Sequence, residues 1–65
     1  MKYNAKIKLK YKNGTEINYN VTVDNKNQSI IRSLMIITRG TLMESNAQKA
    51  TCYNTDGYII CEFIK

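Results

Sequence analysis

A chain of 65 residues with a net charge of +5 and a pI near 9.4 holds one domain, residues 1–65, with no room for a linker and a second core. A core of this size buries only about 60% of the unfolded surface, so a second copy or a bound partner is expected to add stability, and the charge favours acidic partners such as nucleic acid or an acidic protein surface. No apolar run approaches the roughly 18 residues of a membrane span, and lysines interrupt the apolar residues of the N-terminus, leaving no core for an export signal; the two cysteines are expected as reduced thiols in the cytoplasm.

From Tyr3 to Tyr11 the odd positions read Tyr3, Ala5, Ile7, Leu9 and Tyr11, and the even ones Lys2, Asn4, Lys6, Lys8, Lys10 and Lys12. A period of two over that length predicts a strand with one apolar and one wet face. After Asn13-Gly14 the alternation resumes, with Ile17, Tyr19, Val21 and Val23 against Glu16, Asn18, Asn20, Thr22 and Asp24. Asn-Gly between two such runs predicts a hairpin. A two-residue loop would set Tyr11 against Glu16 and mix the faces along the whole ladder. A three-residue loop, with a type I turn over Lys12 and Asn13 and Gly14 in the left-handed region, instead pairs Leu9 with Ile17, Ile7 with Tyr19 and Ala5 with Val21. It also brings Lys10 to Glu16 and Lys2 to Asp24.

Asn25 followed by Gln28 has the spacing of a capping box, with Asn27 and Ser29 as alternative caps, and predicts a helix over about 26–39. Ile30, Leu34, Ile37 and Thr41 fall together on a helical wheel, and Ile31, Met35, Thr38 and Leu42 widen the stripe to about 160°, beyond the roughly 100° that covers one sheet face. The extra width is expected to meet a second molecule. Gly40 reads as the C-cap, and residues 41–46 as a last turn or a loop. The β-branched Ile36-Ile37-Thr38 keeps an extended reading of 34–43 open.

Two short runs, Ala47–Tyr53 and Tyr58–Ile64, flank Asn54-Thr55-Asp56-Gly57 and predict a second hairpin. With a three-residue loop Tyr53 meets Ile59 and Cys52 meets Ile60; with a four-residue loop Cys52 meets Ile59 and Lys49 meets Glu62. Neither register sets Cys52 directly against Cys61, so the sequence predicts two free thiols packed as small hydrophobes.

Catalysis needs a poised acid or base, an activated nucleophile or a metal. The chain has no histidine and five scattered acids, so the expectation is a non-enzyme with no cofactor, no metal and no small-molecule substrate. The candidate binding surface is the lysine face: Lys2, Lys6, Lys8, Lys10 and Lys12 are half of the ten basic residues. Alternate strand residues rise about 6.8 Å, near two nucleotide steps of roughly 3.4 Å. The same lysines equally suit an exposed strand kept soluble by charge. Tyr3, Tyr11 and Tyr19 fall on the opposite face, which argues against base stacking and leaves Tyr53 and Tyr58 as stacking candidates. A second candidate is an apolar interface of Ile31, Met35, Ile36, Ile60 and Ile64.

The run KIKLKYKNGTEINYNVTVDNKNQSIIRSLMII resembles the small hairpin-helix proteins of phages and mobile elements of AT-rich bacteria, some of which inhibit host defence or host enzymes. The resemblance implies no particular site residue. The chain is thus expected to be an α+β domain of ββαββ order, an antiparallel sheet of two hairpins with one helix on one face. Its expected function is a non-catalytic binding protein of phage or mobile-element origin, an inhibitor or adaptor that occupies a protein partner and forms a homodimer. The alternative is a nucleic-acid binder that grips the phosphate backbone with its lysine face.

Overall fold

The computed structural model describes residues 2–24 and 29–65. The elements follow in the order β1 (Lys2–Lys10), β2 (Glu16–Asp24), α1 (Ile30–Met43), β3 (Lys49–Asn54) and β4 (Ile59–Ile64). One four-stranded sheet runs β2-β1-β3-β4, every neighbouring pair antiparallel. The fold is therefore α+β with ββαββ order. Because β1 is antiparallel to both its neighbours, β2 and β3 run parallel, and the helix crosses over β1 to join them.

The first hairpin has the register that the alternation requires. Lys2 pairs with Asp24, Ala5 with Val21, Ile7 with Tyr19, Leu9 with Ile17 and Lys10 with Glu16. The Gly14 N–H donates to the Tyr11 carbonyl at 3.0 Å and the Tyr11 N–H to the Thr15 carbonyl at 2.8 Å. Gly14 itself sits at φ 89°, a region that a side chain disfavours. The odd face of β1 becomes the floor of the core: Ala5, Ile7 and Leu9 are buried, with Leu34, Leu42, Ala47, Ala50 and Cys52 above and beside them.

The helix begins later than residue 26, at one of the alternative caps that the sequence offers. Ser29 is its N-cap, with its hydroxyl oxygen accepting from the Arg32 N–H at 3.4 Å; the Asn25–Gln28 box lies outside the described residues. It also runs through Gly40 to Met43, with Glu44 as the C-cap, which corrects Gly40 as a cap and removes the extended reading of 34–43. The reason is packing, since stopping at Gly40 would leave Leu42, only 2% exposed, out of the core. Local cap preference is weaker than burial of a leucine, worth about 1.5–3 kcal/mol. The buried row is Leu34, Thr38 and Leu42. Thr38 has no exposure and donates its hydroxyl proton to the Leu34 carbonyl at 2.6 Å, so a polar group enters the core satisfied.

Past the helix, Lys65 fills a role that the sequence did not suggest. Its ammonium donates to the Leu42 carbonyl at 3.3 Å and to the Ser45 carbonyl, placing a cation at the negative end of the helix.

The second hairpin corrects both predicted registers. The turn is the three-residue one, with the Asn54 N–H donating to the Tyr58 carbonyl at 2.9 Å, the Gly57 N–H to the Asn54 carbonyl at 3.1 Å, and Tyr53 opposite Ile59. The register then shifts at a bulge, so that Cys52 lies opposite Cys61, Thr51 opposite Glu62, Ala50 opposite Phe63 and Lys49 opposite Ile64. Ile60 is the extra residue. The bulge satisfies both demands at once: the turn keeps its glycine, at φ 90°, and Lys49, Thr51 and Glu62 share one face while Cys52, Cys61 and Phe63 share the other.

The helix packs chiefly on β3 and β4 and only lightly on β1 and β2. Ile17 and Tyr19, on the apolar side of edge strand β2, consequently remain 38% and 44% exposed. Leu34→Ala should destabilise the domain by about 2–5 kcal/mol, while Ile36→Ala, at a position 62% exposed, should stay within about 0.5 kcal/mol. Urea unfolding at unchanged m-value checks both; equal losses at the two positions would mean that the helix is not seated through Leu34.

Candidate binding face on the open sheet

The helix covers one side of the sheet and leaves the other bare. On this open side the pairings define rows that run across the strands: Glu16–Lys10–Lys49–Ile64, then Asn18–Lys8–Thr51–Glu62, then Asn20–Lys6–Tyr53–Ile59. Lys2 and Asp24 close the end of the β1–β2 pair, and between them and Lys6 the Thr22 hydroxyl donates to the Asn4 amide oxygen at 2.9 Å.

Charge is distributed unevenly over these rows. At one end Lys10 faces Glu16 on β2 and Lys49 on β3. Opposed like charges are unfavourable, and the Lys49 ammonium is drawn off to Glu62 at 3.2 Å. The same Glu62 oxygen accepts from the Thr51 hydroxyl at 3.0 Å. The Thr51 hydrogen bond first, and Lys49 second, hold the Glu62 carboxyl below the usual carboxylate range. In the middle rows, by contrast, Lys6 and Lys8 lie between Asn20 and Asn18 on one side and Tyr53 and Thr51 on the other. Among the described residues no ion pair involves either lysine.

Tyr53 is the residue that the odd-even reading of the first hairpin does not reach. It lies within the lysine face, with the Lys8 ammonium 5.4 Å from its ring centroid, inside the range of a cation–π contact. Lys6, Lys8, Asn18, Asn20, Tyr53 and Asn54 line a shallow groove of about 580 Å³. Asn54 is held rigidly, its side-chain oxygen accepting from the Asp56 and Tyr58 N–H groups at 2.9 Å each. The groove thus combines two uncompensated cations, an aromatic ring and three amide side chains that can donate or accept. Tyr53 was visible in the sequence as a stacking candidate; its place among the lysines depends on β3 pairing with β1.

Lys12 stands apart from this groove. It belongs to the first turn and lines a smaller hollow with Lys10, Tyr11, Lys49 and Ile64. Tyr58 is 72% exposed beside the second turn.

The five apolar candidates do not form one patch. Ile31, 58% exposed, joins Ile60, Ile59, Ile30, Leu34 and Tyr3 around a groove of about 420 Å³ between the helix start and β4. Met35 is 42% exposed one turn further along the helix. Ile60, however, packs half-buried against the core. Ile36, two positions from both Leu34 and Thr38 and so about 200° around the helix from them, is 62% exposed on the side away from the sheet, and Ile64 is 74% exposed on the open face at the far end of β4.

The depressed Glu62 carboxyl has a consequence for stability. A carboxylate with a folded pKa below its unfolded value contributes stability above the unfolded pKa, and that contribution is lost as pH falls through the folded one. Stability of the β3–β4 pair should therefore drop on acidification below about pH 4.5, and Glu62→Gln should flatten that part of the profile when the thermal midpoint is followed against pH. An identical acid profile in the variant would assign the loss to other carboxylates. No family model matches the chain, and no curated protein or solved structure is significantly similar to it.

Proposed function

We propose that this protein is a non-catalytic binding protein that takes an extended single strand of nucleic acid across its open sheet face. The observation that carries the reading is the position of Tyr53, opposite Lys6 and with the Lys8 ammonium 5.4 Å from its ring centroid, on a face that no described helix covers. Proteins that hold single strands combine cations that meet phosphates with aromatic rings on which bases stack. Lysines alone would serve a duplex or an acidic protein equally; a ring set among them favours unpaired bases. Asn18 and Asn20 on β2 offer amide groups that can hydrogen-bond base edges, while backbone phosphates supply most of the affinity.

Fluorescence anisotropy of labelled single- and double-stranded oligonucleotides, from about 50 to 200 mM salt, tests this. If Lys2, Lys6, Lys8, Lys10 and Lys49 meet phosphates, log affinity for a single strand should fall against log salt with a slope of roughly −3.5. Tyr53→Ala should weaken single-strand binding by about 1–3 kcal/mol and leave any duplex binding unchanged, and Lys6→Gln with Lys8→Gln should reduce the slope. Absence of binding at the lowest salt, or a Tyr53→Ala protein that binds as tightly as the parent, would sink the proposal.

A second reading rests on a separate observation, the exposed Ile31 and Ile59 beside the groove at the helix start. Apolar side chains on a groove rim suit a protein partner or a second copy, as an inhibitor or adaptor would need. Under that reading Ile31→Glu abolishes partner capture or self-association, read by light scattering, and leaves oligonucleotide affinity untouched.

A further inference from the structure

The Ile60 bulge has a chemical result. By sliding β4 one place along β3 it brings Cys52 directly opposite Cys61, on the face that the helix covers. Cys52 has no exposure, whereas Cys61 is half-buried and the more exposed of the two. Both thiols converge on one hydroxyl: the Cys61 thiol donates to the Thr38 oxygen at 3.8 Å, and Cys52 interacts with Thr38 and with Cys61 itself. Both are free thiols, Cys52 buried and Cys61 half-buried.

We propose that Cys52 and Cys61 are a thiol–disulfide exchange site, converted to a cross-strand disulfide by a small-molecule disulfide and restored by a small thiol. Directly opposed residues of an antiparallel pair have Cα atoms about 4.5–5.5 Å apart, inside the roughly 4.4–6.8 Å that a disulfide spans. Their Cβ atoms, at about 4.5–5.5 Å, stand at or just beyond the disulfide range of about 3.5–4.5 Å. Closure therefore draws the strands slightly together, and the adjoining bulge is where the ladder can yield. A bond made this way is more easily reduced than an unstrained one.

Exposure assigns the order of steps. Cys61 releases its proton to solvent, and its thiolate attacks one sulfur of the small disulfide; that S–S bond breaks, and the departing thiolate takes up a proton. The mixed disulfide on Cys61 then lies against Cys52. The Cys52 sulfur, on losing its proton, attacks the Cys61 sulfur and expels the second small thiol. Two protein thiols are oxidised and one small disulfide is reduced to two thiols, so atoms and electrons balance. Burial pushes the Cys52 thiol up, with the Thr38 hydrogen bond opposing and Cys61 reinforcing the shift, so Cys52 is the poorer nucleophile toward a free disulfide and reacts through its direct pairing with Cys61.

The test is intact-mass spectrometry of the folded full chain treated with oxidised glutathione, quenched in acid, and then treated with dithiothreitol. The wild-type chain should lose two hydrogens without retaining glutathione, and recover its mass on reduction. Cys52→Ala should accumulate one stable glutathione adduct on Cys61, and Cys61→Ala should stay unmodified over the same interval. A wild-type chain that keeps a glutathione adduct without losing two hydrogens, that links to a second chain, or that does not react overturns the proposal. The wild-type measurement decides without relying on either variant to fold, and it is independent of whether the open face binds nucleic acid.

Discussion

The connection between β1 and β2 fixes more of this structure than any other feature. With Gly14 at φ 89°, the loop takes up three residues, and the parity of the first hairpin is set. Every odd side chain of β1 then points to one side and every even one to the other. One residue fewer in the loop would set Lys10, Lys8 and Lys6 against Ile17, Tyr19 and Val21 and leave no continuous apolar floor across the two strands. Because β1 is also the strand that β3 joins, its two-faced character passes to the whole sheet.

The second constraint is the size of the roof. A single helix of 14 residues covers only part of a four-stranded sheet, and it sits nearer β3 and β4 than β2. The core is accordingly built from Ile7, Leu9, Leu34, Leu42 and Cys52, with small residues such as Ala5, Ala47 and Ala50 letting the helix approach closely. The apolar side of β2 pays with exposure. Among the described residues no element covers the opposite face, where the charged and aromatic groups line a groove open to a ligand.

The two candidate chemistries both arise at β3. On its open side Tyr53 lies opposite Lys6 and beside Lys8 of β1, and on its covered side Cys52 lies opposite Cys61. These are consecutive residues whose side chains leave opposite faces of one strand. The bulge that orients Cys61 also places Glu62 beside Lys49 and Thr51, so the charge arrangement of the open face and the thiol pairing of the covered face share one backbone irregularity.

By itself the sequence determined the first hairpin completely, including its register, its turn and its two faces, because a strict period of two and an Asn-Gly turn allow a single answer. It also placed Leu34, Thr38 and Leu42 within one apolar stripe, but centred that stripe on Ile30, Leu34, Ile37 and Thr41, whereas packing buries the Leu34–Thr38–Leu42 row and leaves Ile37 37% exposed. The helix ends were not determined, because Gly40 carries a cap signal that burial of Leu42 overrides. Nor was the second hairpin, where both faces hold apolar residues and no register penalises itself. Only the tertiary structure decided that Ile60 is bulged, that Cys52 faces Cys61 and that Tyr53 joins the lysines. The first two turn on a register within one hairpin that two apolar faces leave open, and the third on β3 lying beside β1, a contact between residues distant in the chain that no local pattern encodes.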